Sequence, residues 1–220
     1  MDTAAPVSMR SNVTGGSYVI TAGHCGVNTW YDEFSSDLSW HVVGPTHQVV
    51  YGTDLGDEQL LYINNSIGWQ EPNNYVLVYS SSGARPTTSA PLYTITGWNG
   101  GDTPYGTYVC HTGATSLTSC GMVVDDRAQM TPQDGYHQVD LLKVEGGTVC
   151  AGDSGGAVYA GHLAYGIVMS GSLSSGSTEG GPNGVLQPCT SGTSGGVSDT
   201  WYVTQIGNIL AQWNISLVTR

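Results

Sequence analysis

Apolar positions in this chain come in short runs cut by glycine, proline, serine and asparagine. Ser17-Tyr18-Val19-Ile20-Thr21 is apolar and β-branched, and Asn12-Val13-Thr14-Gly15-Gly16 before it has turn chemistry, so residues 7–22 read as two strands around a turn. Residues 39–51 carry β-formers in alternation (Trp40, Val42, Val43, Val49, Val50, Tyr51), and further strands are read at Leu60 to Ile63, Tyr75 to Tyr79, Leu92 to Trp98, Gly135 to Leu142, Ala157 to Tyr159 and Leu163 to Ser172. Short strands separated by frequent turn signals predict an antiparallel all-β chain. Ser80 to Pro91 has no periodicity and two prolines. Within it, 83–91 is read as a linker between a first unit, 1–82, and a second, 92–220. From Asp199 the period changes. Trp201, Val203, Ile206, Ile209, Leu210 and Trp213 recur at helical spacing, which predicts a C-terminal helix over 201–214 capped by Asp199 or Thr200.

Composition narrows the partners. The chain has 220 residues, of which 10% are charged, and a formal charge of −12 from 5 Lys+Arg against 17 Asp+Glu. Such a chain repels nucleic acid and anionic membrane surfaces, so neither is an expected partner. Met1 to Arg10 has no long apolar run, so no signal peptide is read there, and no transmembrane stretch occurs elsewhere. Five cysteines fit a secreted protein, but the odd count leaves one thiol without an intrachain partner.

The candidate chemistry sits in two motifs. Gly152-Asp153-Ser154-Gly155-Gly156 puts a serine in a glycine-built loop, where the Gly152 and Ser154 N–H groups can turn towards one point. A hydroxyl beside two converging donors offers a nucleophile and a socket for the oxyanion formed on attack. A serine needs a base, and Thr21-Ala22-Gly23-His24-Cys25 supplies one near a strand end. Asp54 and Glu58 are read as solvated, His41 and His47 as ordinary strand or loop histidines with no zinc spacing, and His137 and Asp140 as structural. Cys110 and Cys120 flank a polar turn, so a hairpin disulfide can close there.

The two motifs in this order resemble the chymotrypsin-like serine proteases, whose triad runs His, Asp, Ser along the chain. The resemblance covers about residues 7–214. It implies two packed six-stranded antiparallel β-barrels with a C-terminal helix and a cleft between the barrels. It implies His24, Asp57 and Ser154 as the triad, with Asp57 chosen because Leu60, Leu61 and Ile63 follow it at the family's apolar offsets. Gln59 departs from the small residue that bacterial relatives often carry there. The segment Cys110 to Gly121 is similar to the disulfide hairpin of the bacterial α-lytic protease and streptogrisin group, with Thr112 and Ser116 as near-matches and Leu117 in place of a glycine. Relatives in this group carry arginine at the position of His111, paired with the Asp before the nucleophile, so His111 is expected to pair with Asp153. The resemblance also implies a Cys150–Cys189 disulfide bracing the specificity pocket, and a free thiol at Cys25, whose usual partner would lie near Met9.

For the substrate the resemblance implies that Val149, Ala151, Met169 and Ser172 wall the primary pocket, with Thr148 at its floor, Ser170 and Gly171 on the strand whose backbone pairs with the substrate, and the Ser170 hydroxyl reaching Asp57. Thr148 stands where trypsin-like members carry an acid, and Met169 where glutamate-specific members carry histidine. An apolar P1 residue is therefore expected. The implied protein is a secreted, monomeric serine endopeptidase with protein or peptide substrates, a pro-segment or proteinaceous inhibitor as further partners, and no metal or cofactor. The alternative is a catalytically inactive protease fold used as a binding module.

Overall fold

The computed structural model describes residues 7–11, 16–32, 41–53, 56–63, 74–77, 92–131, 135–171 and 197–219. The first group of strands is β1 (Val7–Ser11), β2 (Ser17–Thr21), β3 (Thr29–Asp32), β4 (His41–Thr53) and β5 (Gly56–Tyr62). A single 3-10 turn, Gly23–Cys25, follows β2. β6 (Tyr75–Leu77) and β7 (Leu92–Thr94) pair with each other as a separate two-stranded sheet, and the second group runs β8 (Gly97–Trp98), β9 (Tyr108–Gly113), β10 (Leu117–Met130), β11 (Gln138–Cys150), β12 (Ala157–Ala160), β13 (Leu163–Gly171) and β14 (Val197–Gln205). Helix α1 (Ile206–Trp213) and β15 (Ile215–Leu217) close the chain.

The second group folds as the alternation predicts. The sheet runs β12-β9-β10-β11-β14-β13, and a further β12–β13 pairing closes these strands into a barrel, with β8 added beside β13. Closure removes strand edges that would otherwise expose unpaired N–H and C=O groups. Val109, Val123, Leu142, Val144, Val149, Val158, Val168, Trp201 and Val203 fill its interior. Each such side chain contributes about 1.5–3 kcal/mol of burial. The first group differs from a closed barrel. It is a six-stranded sheet in the order β15-β1-β2-β5-β4-β3, and among the described residues its edge strands do not pair with each other.

The C-terminal segment corrects the expectation of a helix over 201–214. Residues through Gln205 form β14, and the helix begins at Ile206, without a side-chain cap from Asp199 or Thr200. The run Thr200-Trp201-Tyr202-Val203-Thr204 is β-branched and aromatic, and it fits a pleated surface better than a helix. Trp201 and Val203 stand two apart, as strand alternation requires, and both are fully buried. Ile206, Ile209 and Leu210 keep the helical period and are the buried face of α1. Asn214 ends the helix with φ 49° and gives its N–H to the Leu210 carbonyl, a left-handed cap that asparagine tolerates. The chain then returns as β15 to pair with β1, Met9 opposite Leu217. The last strand thus belongs to the first sheet.

One core joins the two groups. Tyr18, Ile20 and Leu60 from the first sheet pack with Ala157, Tyr159, Ala164 and Ile167 from the barrel and with Ile206, Ile209 and Leu210 of α1. This fixes β2 and β5 against β12 and β13, and the ends of these strands carry the candidate site. No helix among the described residues is long and apolar enough to cross a membrane.

Candidate active site

His24 stands in the 3-10 turn directly after β2, and Asp57 near the start of β5. The carboxylate of Asp57 is 1% exposed. Its Oδ1 accepts the His24 backbone N–H at 2.7 Å. Its Oδ2 lies 2.5 Å from His24 Nδ1. A carboxylate acceptor at that distance assigns the proton to Nδ1 and leaves Nε2 as a lone-pair acceptor. Nε2 lies 2.9 Å from the Ser154 hydroxyl, which comes from the loop between β11 and β12. The structure therefore brings His24, Asp57 and Ser154 together across the two sheets. The imidazole edge remains part exposed at 28%.

The loop around Ser154 is held from three sides. The buried Asp153 carboxylate accepts the Thr115 N–H (2.9 Å), the Ser116 N–H (2.9 Å) and the Cys150 N–H (2.8 Å). The Thr115 hydroxyl lies 2.7 Å from Asp153 Oδ1 and 2.9 Å from the Ala151 carbonyl. Gly155 N–H donates to the Val168 carbonyl and Val168 N–H to that of Gly156, which ties the loop to β13. Gly155 has φ +80°, and a Cβ there would sit 2.0 Å from Thr21 Oγ1 on β2. At Gly113 a Cβ would fall 2.2 Å from Asp153 Oδ1. Glycine is needed at both, once for conformation and once for approach. Among the described residues no hydrogen bond engages the Gly152 or Ser154 N–H, and Gly152 has φ 94°.

Thr115 and Ser116 form the turn of the β9–β10 hairpin, in which Cys110 faces Cys120. These cysteines form the disulfide. Cys150 is also disulfide-bonded, while Cys189, the expected partner, lies outside the described residues. Cys25 is half-buried in the turn beside His24.

His111 does not pair with Asp153. It is fully buried, its Nε2 lies 2.8 Å from the Thr148 carbonyl, and its ring meets Trp201 edge-on. Nδ1 has no hydrogen-bond partner among the described residues. Burial holds the His111 pKa below its ordinary value, and the nearby Asp153 charge and the Thr148 carbonyl offset this only in part. The ring is neutral, Nε2–H donates to Thr148, and the oxygens of Asp153 are taken by other donors. The imidazole is too short and too costly to desolvate as a cation to do what an arginine would.

The expected pocket residues divide. Val149 packs inside the barrel and Met169 packs with Ala128 and Leu141, each at most 2% exposed, so neither has surface to offer a substrate. Thr148, Ala151 and Ser170 are half-buried and Gly171 is buried. Ser172 lies outside the described residues. The Ser170 hydroxyl donates to the Gly171 carbonyl at 3.0 Å, in place of the expected contact with Asp57. β12 covers β13 from Leu163 to Ile167, so beyond Val168 that edge has no strand partner among the described residues.

Glu58 is not solvated. It is 1% exposed, and neither carboxyl oxygen has a hydrogen-bond partner among the described residues. Its pKa is pushed up to about 8, first by burial and next by the Asp57 charge, while a contact with the Asp57 backbone offsets a little. Unfolded, the group returns to its ordinary 4.5. Below 4.5 both states hold the proton; from there to about 8 the unfolded chain releases it and the folded chain keeps it. Stability is thus fullest at acidic pH and falls as pH rises to about 8, by a few kcal/mol in order of magnitude. Melting temperatures of wild type and Glu58→Gln across pH 4 to 9 check this: the wild-type decline is expected to flatten in the variant. Parallel curves contradict it.

The trypsin family's sequence profile matches residues 5–193, and the chain belongs to that family. Among solved structures the chain is similar to Thermobifida fusca protease A, with a TM-score of 0.66 and 20% identity over 97% of this chain and 90% of that one. It is similar to the Nocardiopsis protease, at 0.64 and 23% over 98% and 92%. An α-lytic protease homologue, N4, matches at 0.58 and 22% over 95% and 90%. At these identities the likeness establishes the fold, which is trypsin-like. No curated protein matches the sequence.

Proposed function

We propose that this protein is a secreted serine endopeptidase that cleaves peptide bonds through an acyl-enzyme on Ser154. The single observation that carries this reading is the continuous hydrogen-bonded line from buried Asp57 through His24 to the Ser154 hydroxyl. Ser154 Oγ attacks the scissile carbonyl and its proton passes to His24 Nε2. Asp57 keeps Nδ1 protonated and stabilises the imidazolium that forms. The Gly152 and Ser154 N–H groups receive the oxyanion. His24 then protonates the leaving amine, water enters, and the reverse proton path releases the acid.

The substrate backbone lies along the edge of β13 beyond Val168, which has no strand partner among the described residues, as an added strand. The P1 side chain is apolar, because Thr148 brings no carboxylate to the pocket. A Cys150–Cys189 disulfide braces that pocket. Disulfide use, with Cys110–Cys120 as the described instance, fits an oxidising compartment. The chain divides as 1–82, a linker 83–91, and 92–220, apart from β15, which returns to the first sheet. A P1-varied peptide library tests the proposal. Cleavage after apolar residues is expected, with turnover in Ser154→Ala reduced at least about 10⁴-fold. Turnover unchanged in Ser154→Ala overturns the mechanism, and dominant cleavage after Lys, Arg or Glu overturns the specificity.

A further inference from the structure

We propose that Gln59 is a positioning residue for His24: its buried amide clamps the two carbonyls that flank the histidine turn. The proposal rests on the protease reading for its kinetic consequence, and on geometry for the clamp itself. Gln59 stands two residues after Asp57 on β5, so both side chains project from the same face. It is fully buried. Nε2 donates to the Ala22 carbonyl at 2.7 Å and to the Gly26 carbonyl at 3.2 Å. These two residues bound the 3-10 turn Gly23–Cys25 on either side. His24 is the middle residue of that turn, which has no side-chain cap of its own.

The orientation of the amide is fixed by its other end. Gln59 Oε1 accepts the Thr46 hydroxyl at 2.8 Å. The Thr46 oxygen in turn accepts from the Trp30 indole N–H at 3.1 Å and from the Asn28 N–H at 3.3 Å. A hydroxyl has one proton, and the competing Asn28 carbonyl is farther away, at 3.3 Å. Thr46 is therefore the donor to Gln59, and a flipped amide would set N–H against a hydroxyl already filled with donors. Both amide protons then face the turn. An amide buried without such partners is costly, so this one holds its place only with the network intact.

The strand grips the turn with opposite chemistries. Asp57 takes the His24 N–H and the Nδ1 proton. Gln59 gives protons to the carbonyls before and after. A small side chain at this position could supply none of these bonds. The clamp matters because His24 must span to Ser154 across the two sheets, at 2.9 Å. A misplacement of about 1 Å can cost on the order of 10²-fold in rate.

The test uses Gln59→Met, which keeps the volume and removes the donors, and Gln59→Glu. The readouts are kcat and KM across pH, and the low-field Nδ1–H resonance of His24, which needs no turnover. In Gln59→Met, kcat is expected to fall about 10- to 100-fold with KM within about two-fold, and the His24 resonance to shift. In Gln59→Glu the protonated acid can donate one bond, while the ionised form repels both carbonyls. Its activity is expected to recover towards acidic pH, with an ionisation absent from wild type. If Gln59→Met does not fold, Thr46→Val frees Oε1 at a half-buried position and is expected to lower kcat about three-fold with the same spectral shift. A stability loss in the folded variant with kcat, pH profile and His24 resonance all unchanged overturns the proposal. A shifted resonance in a protein whose wild type shows no turnover upholds the clamp and overturns the protease reading instead.

Discussion

An Asp57→Asn variant is expected to keep its fold and lose about 10⁴-fold in kcat, or about 5 kcal/mol of transition-state stabilisation. The reason is the pair of donors that Asp57 meets. One is the His24 backbone N–H on Oδ1, which can only donate. An asparagine must turn its single oxygen towards that N–H, so its NH₂ group faces His24 Nδ1. The imidazole then accepts at Nδ1 and carries its proton on Nε2. That nitrogen can no longer receive the Ser154 proton, although the 2.9 Å separation is preserved. Steady-state kinetics with a melting curve check the outcome. A loss smaller than about ten-fold contradicts the role given to Asp57.

The second large effect concerns Asp153 and falls on stability as well as rate. An alanine there leaves the N–H groups of Thr115, Ser116 and Cys150 without their acceptor in a buried place. Each orphaned donor costs about 1–3 kcal/mol. Asp153→Ala is therefore expected to lose roughly 3–9 kcal/mol, which at about 2–4 °C per kcal/mol is at least roughly 6 °C in Tm for a chain of this length. The loop carrying Gly152 and Ser154 loses its anchor to the hairpin turn, so kcat should fall with it. His111→Ala supplies the contrast, since His111 does not hold Asp153; it empties a packed site and unpairs the Thr148 carbonyl without releasing the loop. Calorimetry and active-site titration of both variants check this. An Asp153→Ala protein that melts within about 2 °C of wild type contradicts the anchoring role.

The elements legible in the sequence are those whose signal is local. Turn chemistry at Asn12 to Gly16 and around Gly113 to Ser116 marks the hairpins, and the structure pairs β1 with β2 and β9 with β10. His24 and Ser154 stand out in the sequence because their two motifs, in this order, resemble the serine-protease pattern; either glycine-rich loop alone says little in a chain with 32 glycines. The anchor of Asp153 was not visible. Its partners include backbone N–H groups, which no side chain announces, and the absent arginine drew attention to His111 instead.

The burial of Glu58 is hidden in the sequence for another reason. A charged residue reads as solvated by default, yet alternation along β5 places it on the face of Leu60, and Leu60 is core. Strand parity, followed one residue further, carried the information. Trp201 and Val203 stand two apart, a strand spacing, and the helical spacing holds only from Ile206 through Ile209 and Leu210, so parity and the β-branched neighbours together mark the helix start at Ile206. Gln59 stands out in the sequence as a departure, but the carbonyls it bonds lie 33 and 37 residues away.

The central claim is that Ser154 is a nucleophile activated by His24. Treatment with a fluorophosphonate, followed by intact and peptide masses, tests it most directly. A single adduct on Ser154, absent in His24→Ala, is the predicted result. No adduct at acidic or neutral pH, or equal labelling of wild type and His24→Ala, contradicts it.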